Sequence, residues 1–189
     1  MEFLSHLWLP IVLSAVLVWI AAAIAWTALP HHKHDWKRLP DESAFLAAIR
    51  PLAIPPGNYG FPYCSHGDAK SEEFQKKWKE GPMGLLCIWP GCGGMGKKMV
   101  LSFLIYLVIG TMVAYLADHA LEPGAAYLAV FRIVGVAAVL AYTAASLPNA
   151  VWFNKPANAV VAELADGIVY GLLTAGTFAW LWPGGPAGV

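Results

Sequence analysis

Apolar residues are concentrated in four long runs, each close to the ~20 residues that a helix needs to cross a bilayer. The runs are Leu7 to Leu29, Met99 to Leu116, Ala125 to Leu147 and Ala159 to Trp182. Short connections between the last three predict antiparallel neighbours. The pattern therefore predicts an all-α membrane protein with four transmembrane helices. Residues 1–29 hold the first span, and residues 99–189 form a three-helix bundle on which it packs.

The first run is interpreted as a retained span rather than a signal peptide. It is longer than the ~7–15 apolar residues of a signal peptide, and Glu2 stands where Lys or Arg would be expected.

Residues 30–98 form a mixed insertion between spans one and two. The pattern predicts helices over Asp41 to Arg50 and Ser71 to Glu80, an extended stretch over Tyr59 to Tyr63, and a strand or membrane-grazing turn over Leu85 to Trp89. The insertion is thus expected to be folded rather than a flexible linker.

Charge indicates an orientation for these segments. Ten of the 12 Lys and Arg residues lie in 30–98, and basic loops stay on the cytoplasmic side. Both termini are then expected outside and the 30–98 segment in the cytoplasm. Charged residues are 13% of the chain, against ~25% in a soluble domain. A soluble protein is excluded, and the lipid bilayer, not nucleic acid, is the expected environment.

A metal site is one candidate chemistry of the insertion. Its members are Cys64, His66, Cys87 and Cys92, which supply three thiolates and an imidazole, the donor set of a tetrahedral zinc site. The alternative is that the cysteines are small hydrophobic residues. Zinc or another transition metal is therefore one possible cofactor.

A histidine cluster follows the first span at His31, His32 and His34. Such a cluster can hold a transition metal or respond to pH near 6.5. Solvated histidines at the membrane interface are the alternative.

Charged residues inside the spans are costly, roughly 2.5–3.5 kcal/mol each at a helix centre. They are Arg132, Glu163 and Asp166. Arg132 is near the outer end of the third span, so we expect it to reach Asp118 or Glu122.

Glu163 and Asp166 are three residues apart on span four and share a helix face. We expect them to face Lys155 or a polar pocket. A proton or ion path through these residues is the alternative to structural pairing.

Gly167 and Gly171 form a small-residue motif on span four that lets another helix approach closely. Packing inside the bundle is the first interpretation, and contact with a partner subunit the second.

Several segments resemble an uncharacterised bacterial four-span inner-membrane protein family. They are Pro56 to Pro62, Lys70 to Phe74, Gly81 to Gly84, Met95 to Lys97, Tyr127 to Arg132 and Asp166 to Phe178. The resemblance implies the bacterial cytoplasmic (inner) membrane, but it carries no assigned activity.

The first functional hypothesis is a non-enzymatic accessory or scaffold subunit of a membrane assembly, with a protein partner or a homo-oligomer. The sequence has no nucleophile–base pair and no discontinuous helix typical of transporters. A metal-binding or redox membrane protein using the cytoplasmic Cys and His residues is the second hypothesis. The third is a small transporter or membrane enzyme using Glu163, Asp166 and Arg132.

Overall fold

The computed structural model describes residues 2–65, 67–91 and 93–184. The chain forms two compact units. The bundle unit holds the residues up to Lys37 and from Met95 onward, and the loop unit is Arg38–Gly94. The predicted 30–98 insertion therefore contributes its first residues to the bundle unit, because the turn after the first helix packs on the last helix.

The described part of the bundle unit contains five α-helices. They are α1 (Phe3–Thr27), α4 (Met95–Ala120), α5 (Tyr127–Thr143), α6 (Ser146–Trp152) and α7 (Ala157–Trp180). Four segments are long and apolar enough to cross a membrane: α1, α4, α5 continued through α6, and α7. The four predicted spans are thus present as helices of sufficient length.

The helices differ from the predicted runs at several boundaries, two of them in the second and third spans. The second span begins at Met95, four residues before Met99, because Gly96, Lys97 and Lys98 continue the helix. The third run is interrupted after Thr143, and the shorter α6 follows it. Hydrophobicity alone marks neither point.

The core of the bundle unit is built from small and branched apolar side chains of all four long helices. It contains Phe3, Leu7, Ile11, Val113, Ala114, Ala117, Val130, Val134, Ala138, Ala175, Phe178 and Ala179. Helices α5 and α7 form the most extensive pair, while α1 packs on α4 and α7. The connection between α4 and α5 is tied to the end of α7, since Trp182 Nε1 donates to Glu122 O at 3.1 Å.

Gly167 and Gly171 lie in the contact between α7 and α5. A Cβ atom at Gly167 would lie 2.5 Å from Thr143 Cγ2, and one at Gly171 would lie 2.5 Å from Val139 Cγ2 and 2.9 Å from Val139 N. The two glycines thus let the backbone of α7 come into direct contact with α5.

The loop unit contains helices α2 (Glu42–Ile49) and α3 (Glu72–Glu80) and strands β1 (Gly57–Phe61) and β2 (Gly84–Ile88). The strands are antiparallel, with Tyr59 opposite Leu86. Local signals explain the helix starts, because the Asp41 carboxylate accepts from Ala44 N at 2.8 Å and the Ser71 hydroxyl from Phe74 N at 3.2 Å. No described residue of this unit is buried.

Gly171→Ala is expected to lower the free energy of unfolding by about 1–3 kcal/mol, because the added methyl meets the backbone of Val139. Gly176→Ala is the matched control on the same helix, where the nearest atom to a Cβ is 3.9 Å away. Thermal unfolding in mild detergent measures both. Equal midpoints for the two variants would contradict the close approach of α5 and α7.

Candidate metal centre

A short turn places two histidines beside the last helix. Helix α1 ends at Thr27, and a 3₁₀ turn over Pro30–His32 follows. Proline suits the first position of such a turn because its φ is fixed and it has no N–H to satisfy. The turn packs on α7 and brings His31 and His32 to Asp166.

Asp166 is shared between the two imidazoles. His31 Nε2 lies 2.9 Å from Asp166 Oδ1, and His32 Nε2 lies 2.9 Å from Asp166 Oδ2. The Tyr170 hydroxyl donates to Oδ2 at 3.3 Å. Each carboxylate oxygen therefore has its own nitrogen partner, and the side chain of Asp166 is only 13% exposed.

The His32 ring is fixed on both edges and on one face. Its Nδ1 lies 2.7 Å from Asp35 Oδ2, opposite the nitrogen that meets Asp166. The Trp26 ring stacks on it with centroids 4.0 Å apart and planes 7° apart. A ring held in this way has little rotational freedom.

The surroundings of His32 favour a positive charge. A protonated ring can donate from both nitrogens to the two carboxylates. Burial lowers the pKa of His32, but the hydrogen bonds to Asp166 and Asp35 and their negative charges raise it by more, so the pKa lies above its ordinary value. Among the described residues, Asp35 Oδ1 is buried without a hydrogen-bond partner.

His31, His32 and Asp166 offer ligand atoms within 4.8 Å of one another. Two imidazole nitrogens and one carboxylate are the protein ligands of many zinc centres that keep a fourth position for water or substrate. The same set with open positions also suits other divalent transition metals. This cluster can therefore hold a metal ion by donor type and spacing.

An open groove adjoins the cluster. It has a volume of about 390 Å³ and is lined by His31, Asp166, Asn158, Val161, Ala162, Ala165 and Val169. Apart from the first three, its walls are aliphatic. A metal ion on the cluster would therefore be reachable from this side.

The other charged residues predicted inside the spans lie apart from the cluster. Glu163 forms an ion pair with Lys155, as the sequence suggested, whereas Asp166 pairs with the histidines. Within the described ranges no ion pair joins Arg132 to Asp118 or Glu122, and Asp118 instead meets His6 Nε2 at 2.9 Å. The prediction that Arg132 reaches Asp118 or Glu122 was therefore wrong.

The cysteine site predicted for the insertion is described only in part. Cys64 and Cys87 are free thiols, half-buried and exposed respectively. His66 and Cys92 lie outside the described residues. Cys87 is in β2, where it is opposite Asn58.

Sequence reasoning missed the roles of Trp26, Asp35 and Tyr170. A weak signal existed, since Asp35 stands three residues after His32 and Tyr170 four after Asp166, spacings that bring side chains together in helical turns. His34 was grouped with the other two histidines but is exposed and outside the ligand cluster.

The chain matches no protein-family model, no curated protein and no solved structure. The fold and the site define a mostly helical protein with four candidate membrane spans and a cluster of two histidines and one aspartate.

His32→Ala is expected to destabilise the metal-free protein by on the order of 3 kcal/mol, because Asp35 and Asp166 lose their shared partner at buried positions. His34→Ala is the control, being an exposed neighbour with no role in the cluster. Thermal unfolding in the presence of a chelator measures both. Equal stability of the two variants would show that the network contributes little.

Proposed function

We propose that the protein is a multi-pass membrane protein that binds one divalent transition-metal ion through His31, His32 and Asp166. Zinc is the first candidate for this ion. The observation that supports this most is the convergence of two Nε2 atoms on one carboxylate. These residues are 134 and 135 positions apart in the chain. Tertiary packing therefore brings these three groups together, and it places their ligand atoms within 4.8 Å of one another.

The contact between His32 and Asp35 gives independent support. Histidines that bind metals usually donate their other ring N–H to a carboxylate, which orients the ring and raises its basicity. Here Asp35 accepts from Nδ1 at 2.7 Å while Nε2 is directed to the ligand cluster. The two carboxylates also give the cluster the negative charge that attracts a cation.

Zinc would use its ability to polarise an oxygen atom and lower the pKa of bound water. The residues of this chain would hold and orient it, with Trp26 and Asp35 restricting His32 and Tyr170 restricting Asp166. Three protein ligands leave a position open, and the adjoining groove lies on the side of His31 and Asp166.

We further propose that the protein is in a bacterial inner membrane, with both termini outside and the 30–98 segment in the cytoplasm. The support is the concentration of Lys and Arg in that segment. The metal centre would then lie at the cytoplasmic end of the bundle.

An accessory or scaffold subunit, with a protein partner or as a homo-oligomer, is the second proposal. It is favoured by the loop unit, in which large apolar side chains such as Trp78, Leu85 and Trp89 are 47%, 61% and 65% exposed. These side chains supply apolar surface that a bound partner would cover. The roles of Cys64, His66, Cys87 and Cys92 in metal binding, and of Arg132, Glu163 and Asp166 in a small transporter or membrane enzyme, remain separate hypotheses.

The purified protein is expected to bind one zinc ion per chain, measured by elemental analysis and by competition with a chromophoric chelator. His31→Ala and Asp166→Asn remove ligands and should lower the affinity by more than Asp35→Asn does. The latter removes an orienting carboxylate, for which a loss of about 10–100-fold is expected.

His34→Ala and the Cys64→Ser, Cys87→Ser double variant are the controls for this experiment, and both should bind zinc normally. Elution volume and thermal stability show whether each variant is folded. Zinc binding that survives loss of His31 and Asp166 but disappears without the cysteines would overturn the proposal in favour of the cysteine site.

A membrane-impermeant maleimide is expected to label Cys87 in opened cells but not in intact ones, since this thiol is exposed in the loop unit. Glu122→Cys in a background without native cysteines is the control and should be labelled in intact cells. Labelling of native cysteines in intact cells would reverse the orientation.

A further inference from the structure

The groove beside the proposed metal centre follows one face of α7. Its aliphatic walls include Val161 and Val169, which are 64% and 49% exposed, and Ala165 between them. From Asn158 to Val169 the lining residues extend over about 16 Å at 1.5 Å per residue. A long apolar wall with His31 and Asp166 on one flank fits an amphiphile better than a small polar molecule.

Charge marks where the polar boundary of a bilayer would lie along this helix. Glu163 pairs with Lys155, and Asp166 lies within one turn of Glu163. From Gly167 to Trp180 the helix has no charged residue. In the proposed membrane orientation, the metal centre would lie where the phosphate and ester groups of a lipid meet its acyl chains, with Val169 on the acyl side.

Electrostatics favour an anionic head group there only when the metal is bound. Without a metal, Asp35 and Asp166 place two carboxylates around His32, which repel a phosphate. A divalent ion offsets the negative charges of both carboxylates and, with three protein ligands, keeps an open position. A phosphodiester oxygen is a hard anionic ligand that fits this open position.

We propose that the groove binds a glycerophospholipid whose phosphate is a ligand of the metal and whose acyl chain runs along Ala165 and Val169. This inference rests on the proposed function. It names the ligand class of that site as a membrane lipid and makes lipid binding dependent on the metal.

The test is native mass spectrometry of the full chain in mild detergent, with and without zinc, after addition of dioleoylphosphatidylglycerol. Zinc is expected to raise the retained fraction of this lipid about tenfold, which corresponds to 1.4 kcal/mol. Dioleoylglycerol, which lacks the phosphate, should show no such increase.

Ala165→Trp fills the groove without removing a ligand, so zinc should stay bound while lipid retention falls to the zinc-free level. Leu172→Trp is the matched control, at an exposed position of α7 outside the groove lining, and should retain both. If Ala165→Trp does not bind zinc, Val161→Trp replaces it as the variant that fills the groove.

The outcomes separate the two proposals. Failure to bind zinc in the unaltered chain overturns the proposed function. Zinc binding with equal lipid retention in the zinc-loaded and zinc-free protein overturns this inference alone. If inorganic phosphate at equal concentration displaces the lipid fully, the site binds free anions instead. If lipid retention survives filling of the groove, the lipid adheres nonspecifically.

Discussion

A carboxylate on a long apolar helix has to be neutralised or hydrogen-bonded, and the arrangement around Asp166 meets that requirement. Both of its oxygens contact imidazoles, and Tyr170 adds a hydroxyl donor. Isolated burial of such a charge costs many kcal/mol, so the histidine turn and α7 hold each other in place. This contact fixes the position of the turn that follows α1.

The packing of α5 against α7 supports the same region from the other side. The two glycines of α7 let the backbone of α5 approach within contact distance of Val139 and Thr143. Tyr142, in the same stretch of α5, packs its ring edge-on against Tyr170 with centroids 5.8 Å apart. Close packing of α5 on α7 thus fixes Tyr170, whose hydroxyl donates to Asp166. The approach of the two backbones therefore contributes to the geometry of the cluster.

The elements of this fold were predictable because their signals are local. Hydrophobic length indicated four helices, and Asp41 and Ser71 marked the starts of two short helices by their capping side chains. The composition of each segment contained these signals, so no tertiary information was needed. The extra turn at Met95 was missed because glycine and lysine do not raise hydrophobicity yet can be helical.

The site was predictable only as separate parts. The histidine cluster and the costly Asp166 were each noticed, but a single sequence gives the height of a residue along a helix and not the direction in which it points across the bundle. The pairing of His32 with Asp166 depends on that direction. Asp35 lies in a polar turn that has no hydrophobic periodicity. Its role follows from its contact with the His32 ring, which only the structure shows.

The site joins residues that are made at different times during synthesis of the chain. Its histidines follow the first helix, while its aspartate lies in the last, 134 or more positions later. Chains are made from the N-terminus and their early parts fold first. The histidines are therefore made before α2 to α6, and the complete cluster can form only in a chain in which the first part of α7 has also been made.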